Sequence, residues 1–281
     1  MVDVPVSVAR EGAGGAPSLP PKPATGRRRP AWVAVGILLI ALLVYSWIDT
    51  GASVSNFFSG VFGHKGLLRS VLPESVPPQA SQFGEAFAAA ATTFAIAVLS
   101  IAFGIVGSLA LLPLAARNIT PSRPAYELTR LLLAVLRAVP ELIMLLLFNV
   151  VLGFSPFASV LALTFHGIGV KGKLFAEAVE EMDMGAVDAL RVAGASRLQV
   201  FLHAVLPGVR NTLTALTLYR LDANFRSAVT LGAVGGGGIG FLIDNQLSVF
   251  NFKAVLTYLI VLVIVVLAVE RMSSVLRARL V

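Results

Sequence analysis

Arg210, Arg220, Asp222, Asn224 and Arg226 interrupt the apolar stretch between residues 209 and 231. A charge at the centre of a bilayer costs about 2.5–3.5 kcal/mol on insertion scales, so such side chains must face a protein interior or a watery path. Asp222 and Arg226 stand four apart with the acid first, which lets them meet on one helix face. They serve equally well as a neutralising pair that locks helices together or as part of a polar path. Arg220 has no such local partner. Together with Arg137, and with Glu141 set aside, it leaves a surplus of positive charge, which suits an anionic solute. Arg137, Glu141, Arg220, Asp222, Asn224 and Arg226 are therefore the candidate pathway residues, with Arg137, Arg220 and Arg226 as its electrostatic lining.

Immediately afterwards comes Gly232-Ala-Val-Gly235-Gly-Gly-Gly238-Ile-Gly240. By letter it matches a dinucleotide-binding pattern, but no strand precedes it and it lies between apolar segments. A helix does not persist easily through four glycines. Irregular backbone at membrane depth requires protein or water to satisfy its amides, so the run predicts a re-entrant or pore-lining bend. Its free N–H groups could also cup an anion, while a hinge between two half-helices fits the same residues. Gly235, Gly236, Gly237, Gly238 and Gly240 are the candidate gate.

Other chemistries find little support. The chain has no cysteine, which removes disulfides, thiol nucleophiles and cysteine metal sites. No metal site is expected, because no Glu-x-x-His pair accompanies the carboxylates at Glu177, Glu180, Glu181, Asp183 and Asp188. That acidic belt is either a solvated helix face or a contact for basic residues of a partner. His64, His166 and His203 lie in separate segments with no positioned acid and nucleophile between them, which disfavours an enzyme acting on phosphorylated lipids.

The elements that hold these groups are apolar spans. With 57% hydrophobic and 13% charged residues over 281 positions, the chain is an all-helical integral membrane protein. Its net charge of +7 is spread between apolar segments without interleaved aromatics, so it speaks for positive-inside topology and against nucleic acid. Residues 1–30 are rich in Pro, Gly, Ala and Ser and predict a disordered cytoplasmic tail that ends in Arg27-Arg-Arg29. Six spans follow: residues 31–48, Ala86–Leu112, Leu131–Phe154 with an interruption at Arg137 and Pro140-Glu141, Phe157–Val170 continuing through Phe175, Val209–Leu231 and Ala254–Val269. Residues 49–85 form an extracytoplasmic connection in which Phe57, Phe58, Val61 and Phe62 make a short interfacial turn. Residues 86–281 are the core, and Asp244–Lys253 turns outside the membrane. Arginines in the connections and near the C-terminus place both termini in the cytoplasm.

One stretch neither crosses the membrane nor reads as a loose loop. Asp188–Gly194 ends in a natural left-handed helix stop, and Ser196 with Gln199 is a capping box that opens a second short helix. Leu198, Phe201, Leu202, Val205 and Leu206 form its apolar stripe, and Pro207 ends the run. From spacing alone, an amphipathic connector resting on headgroups is as good a reading as a docking element.

The stretch resembles the cytoplasmic signature loop of ABC importer permeases, which opens Glu-Ala-Ala, has a glycine three residues on and closes with Leu-Pro. Asp188-Ala189-Leu190 stands for the opening, Gly194 lies one position late, and Ala204, Leu206 and Pro207 match the closing spacing. Leu218–Arg226, Leu231-Gly232 and the glycine run, with Arg137-Ala-Val-Pro140-Glu141 and Leu174-Phe-Ala-Glu177, are similar to the phosphonate, phosphite and phosphate-type subfamily. Methionine-type permeases share some of the glycine motif.

The resemblance implies a type I importer permease fold with a cytoplasmic coupling helix within about residues 177–207. Asp188, Ala189, Gly194, Ala195, Ser196, Leu206 and Pro207 would couple it to an ATPase. It further implies a homodimer in the cytoplasmic (inner) membrane lipid, two ABC ATPase subunits and an extracytoplasmic substrate-binding protein. No Gly-x-x-x-x-Gly-Lys-Ser/Thr occurs, so the chain is expected to be non-catalytic and to bind no cofactor, with ATP and Mg held by the partner subunits. The expected function is import of phosphonate, phosphate or a related oxyanion. The alternatives are an importer of another solute such as methionine, or a stand-alone secondary transporter, which would need its own coupling-ion site.

Overall fold

The computed structural model describes residues 29–51, 53–64 and 66–280. The tail expected to be disordered lies outside the described residues, apart from its last two positions. Every regular element described is helical. The chain divides into two units, residues 1–63 and 64–281.

In the first unit, α1 spans Arg29–Asp49 and α2 spans Val54–Phe62. The apolar run from Trp32 is uninterrupted by charge until Asp49, which gives α1 the length of a membrane crossing. Ser53 starts α2 by accepting a hydrogen bond from the Asn56 N–H. Phe58 stacks on Phe62 at 6.0 Å, and Phe57 meets Phe58 edge-on at 5.7 Å. The short turn expected at these phenylalanines is thus a helix of nine residues.

In the second unit, short turns and α3 (Leu72–Ser75) lead into α4 (Phe83–Ala115). Next come α5 (Arg123–Ala138), α6 (Glu141–Leu152), α7 (Pro156–Glu180), α8 (Gly185–Val192) and α9 (Arg197–Val200). A π turn over Phe201–Val205 then joins α10 (Leu206–Leu231), and α11 (Gly238–Ser248) and α12 (Phe252–Leu280) complete the chain. The tightest packing is α4 on α7, where small residues let backbones approach. A Cβ at Gly107 would lie 2.5 Å from Ile168, and one at Gly169 would lie 2.6 Å from the Arg137 backbone N on α5.

Several expectations need correction. The third span is interrupted at Pro140 as expected, by a bend of 86° where Pro140 denies α5 a further amide, but its first helix starts at Arg123 rather than Leu131. Pro207 does not end a helix. It sits in the first turn of α10, and the wider π turn before it carries the backbone past the missing N–H, with the Leu206 N–H bonding the Phe201 carbonyl. The turn expected at Asp244–Lys253 is largely helix, because α11 continues through Ser248, and α12 stays helical well past Val269.

Among the described residues, three helical stretches, 32–49, 80–115 and 252–278, are long and apolar enough to cross a membrane, and five if each bent pair, α5 with α6 and 197–236 with α11, counts as one. α7 falls outside that count because His166, Lys171 and Lys173 interrupt its apolar residues.

Candidate functional site

The polar residues expected along the fifth span all fall on α10, but they do not face one way. Arg226 pairs with Asp222 through Nη2 and Oδ2, and Arg226 remains largely exposed. Asn224 is buried and donates from Nδ2 to Ser100 Oγ on α4 at 3.0 Å. Arg220 is half-buried, its Nε has no hydrogen-bond partner, and no carboxylate lies within ion-pair distance of it among the described residues. Glu141 lies in the first turn of α6 and is half-buried. Arg137 ends α5 and is exposed. The helix interface therefore takes up Asn224, and Arg220 is left with an unsatisfied nitrogen.

The glycine run breaks the helix as expected. Val234 and Gly235 leave helical geometry, Gly235, Gly237 and Gly238 have φ of +92°, +79° and +74°, and the helical stretch 197–236 and α11 differ in direction by 51°. Two side chains pin the bend. Ser159 on α7 donates to the Gly236 carbonyl at 3.0 Å, and the Ile239 N–H donates to Thr93 Oγ1 on α4 at 2.9 Å. Ser159 and Thr93 escaped the sequence reading, since a hydroxyl inside an apolar helix has no partner visible along the chain. Gly240 lies in the first turn of α11, packed against the Val229 carbonyl.

At the other end of α10, the stretch around Gly194 has the geometry its residues predict. Gly194 has φ +78°, with Ala195 N–H bonding the Leu190 carbonyl and Gly194 N–H the Arg191 carbonyl, both at 3.0 Å, which closes α8 as a Schellman turn. The Ser196–Gln199 capping box is complete. The apolar stripe is rotated from expectation. Val200, Ala204 and Val205 are buried against Leu112, Phe175 and Val187, while Leu198 and Leu202 are exposed. Asp188, Ala189, Gly194 and Ser196 also lie on the exposed side.

A polar clasp ties this element to the bundle. The Glu180 carboxylate accepts from Arg130 at 2.7 Å and from the Arg117 N–H at 2.8 Å. Asn118 donates to the Val179 carbonyl at 2.7 Å, and Arg191, paired with Asp188, donates to the Asn118 carbonyl at 3.0 Å. Part of the acidic belt is thus spent on bonds within the chain: Glu180 here, and Glu177 with Lys173 at 3.3 Å.

Residues 110–281, which contain this element, the charged helix and the glycine bend, match the family of binding-protein-dependent transport system inner membrane components. The chain belongs to this family. It is the permease of an ABC importer, a multi-pass inner-membrane subunit without catalysis of its own. The permease is 35% identical over 245 residues to the phosphite transport system permease protein PtxC of Stutzerimonas stutzeri, covering 87% of this chain and 86% of that one. It is 36% identical over 256 residues to the phosphate-import permease protein PhnE of Mycolicibacterium smegmatis, covering 91% of this chain and 47% of that longer one. Its fold is similar to that of the inward-facing MetNI methionine ABC transporter, with TM-score 0.63 and 21% identity over 72% of this chain and 99% of the other. A bacterial alginate ABC transporter is also similar, with TM-score 0.53 and 18% identity over 88% and 99% of the two chains. Among the described residues no cluster of His, Asp and Glu could hold a metal ion.

Proposed function

We propose that this permease moves a small phosphorus oxyanion, phosphite, phosphate or a phosphonate, between two copies of itself. The observation that carries the reading is Arg220: a half-buried guanidinium with an unsatisfied nitrogen and, among the described residues, no ion-pair acid, on the helix that runs straight into the glycine bend. An anion supplies the missing partner. The transport roles of the similar proteins from Stutzerimonas and Mycolicibacterium support the same class of solute.

In this reading Arg137, Glu141, Arg220, Asp222, Asn224 and Arg226 belong to the path, and Gly235–Gly238 with Gly240 form its gate. Six crossings result when α7 counts as a span, with both termini cytoplasmic. The exposed side of 188–203 faces an ATPase subunit, one for each copy, and an extracytoplasmic binding protein delivers the solute. ATP and Mg belong to those partners. Closure of the ATPases brings the paired coupling elements together, and α10 carries that motion to the glycine bend.

The test is ATP hydrolysis by the reconstituted assembly with its binding protein, titrated with phosphite, phosphate, methylphosphonate and methionine. Stimulation by an oxyanion is expected, and stimulation by methionine alone ends the reading. Arg220→Ala and Arg226→Ala should each lower oxyanion uptake and change its salt dependence. If neither does, the lining role is wrong.

A further inference from the structure

Lys171 follows the apolar part of α7, where its charge marks the cytoplasmic end of a span in sequence. The structure buries it. The residue is 1% exposed, its side chain reaches from α7 to α4, and Nζ donates to the Ile101 carbonyl at 3.3 Å. No carboxylate lies within ion-pair distance of it among the described residues.

The chamber exists because two glycines leave it empty. A Cβ on Gly104 would run into the ammonium, and one on Gly167 would lie 3.5 Å from it. An apolar side chain could fill that space without desolvating a charge, a step that costs several kcal/mol for an ion without a partner. A charge kept there at such cost points to a use for the charge.

The neighbourhood indicates what the use is. Ile101 adjoins Ser100, whose hydroxyl accepts from Asn224 at 3.0 Å and whose carbonyl accepts from Thr164 at 3.5 Å. Arg220 stands four residues before Asn224 and so shares its face of α10. The Asn224–Ser100 bond and the Ile101 carbonyl thus link the Arg220 face of α10 to the Lys171 ammonium where α4, α7 and α10 meet.

We propose that Lys171 is a positioning residue for the anion path: its enclosed ammonium holds the potential beside Arg220 positive, and so favours passage of a small oxyanion it does not touch. This rests on the oxyanion reading given above. The field of a buried charge acts through low-dielectric protein with little screening. Removing the charge should therefore weaken anion passage more than it weakens the assembly.

The experiment uses the full complex in proteoliposomes and measures phosphite moved per ATP hydrolysed. A purely structural role lowers both rates together and leaves the ratio alone. Two variants are compared with wild type. Lys171→Met removes the charge and keeps the stem, and Gly104→Ala keeps the lysine but closes the chamber on its ammonium. Lys171→Met should lower the ratio by about tenfold, the effect of a unit charge at roughly 10–15 Å in a medium of effective dielectric about 20, and Gly104→Ala, which shifts the charge without removing it, should lower it by less. A wild-type ratio in an assembled Lys171→Met complex overturns the proposal. So does a Lys171→Met chain that fails to assemble while Gly104→Ala transports at the wild-type ratio. If the wild-type complex moves none of phosphite, phosphate and methylphosphonate, the oxyanion reading falls and takes this inference with it. Phosphite transport by wild type with unchanged variants removes the role of Lys171 alone.

Discussion

The permease breaks its helices at glycine on either side of α10, and the two breaks obey different rules. At Gly194 the backbone takes φ +78°, but a Cβ there would meet nothing within 4 Å. At Gly235, Gly237 and Gly238 the backbone is equally left-handed, and the added atom would strike Phe154, Pro156 and Thr93 respectively. The first break needs a conformation. The second needs a conformation and the space that α4 and the start of α7 leave for it. The exposed turn can be altered without disturbing the bundle, whereas the enclosed bend can move only if its neighbours move too.

The comparison is tested most severely at the enclosed bend. Gly238→Ala adds a left-handed strain of about 1–2 kcal/mol to a clash with the hydroxyl that caps the Ile239 N–H. Uptake by the reconstituted complex should fall to background while ATPase subunits still co-purify. Uptake within twofold of wild type would show that the bend is not enclosed in the working protein.

A smaller effect is expected from Ser159→Ala, which leaves the buried Gly236 carbonyl without its side-chain donor. The penalty should be about 1–3 kcal/mol, read as a lower thermal unfolding midpoint together with slower uptake. An unchanged midpoint would mean that water replaces the hydroxyl.

At the exposed turn, Gly194→Val should cost about 1–2 kcal/mol and weaken ATPase association, while Gly194→Asn should stay close to wild type because asparagine tolerates the left-handed region. Equal loss in both variants would show that the surface at Gly194 is crowded by its partner. The smallest change is Ser196→Ala, about 1 kcal/mol from the lost cap. Hydrogen exchange at the Gln199 amide should speed up locally, and a bundle-wide response would show that α9 does more than begin the run into α10.

Legibility in the sequence followed the range of the forces involved. The Gly194 stop and the Ser196–Gln199 box were readable because each is settled within six residues of chain. So was the Asp222–Arg226 pair, fixed by one helical turn. The direction of the apolar stripe after Ser196 was misread: Leu198 and Leu202 look as apolar as Val200 and Val205 in sequence, and only the positions of Leu112 and Phe175 decide which side is covered. Pro207 reads as a stop in sequence because a proline forbids an ordinary helical bond, and the π turn that accommodates it leaves no mark in composition.

The amino-acid sequence by itself determined that this protein lives in a membrane, that its helices break at Gly194 and at the glycine run, and which local charge pair forms, because hydropathy, backbone sterics and short-range bonding act between chain neighbours. Tertiary structure decided that Lys171 is enclosed, that Asn224 is spent on Ser100, that Arg220 keeps an unsatisfied nitrogen, and that Ser159 and Thr93 hold the glycine bend. Each of those outcomes depends on which atoms distant helices place opposite one another, and packing across the bundle fixes that spacing.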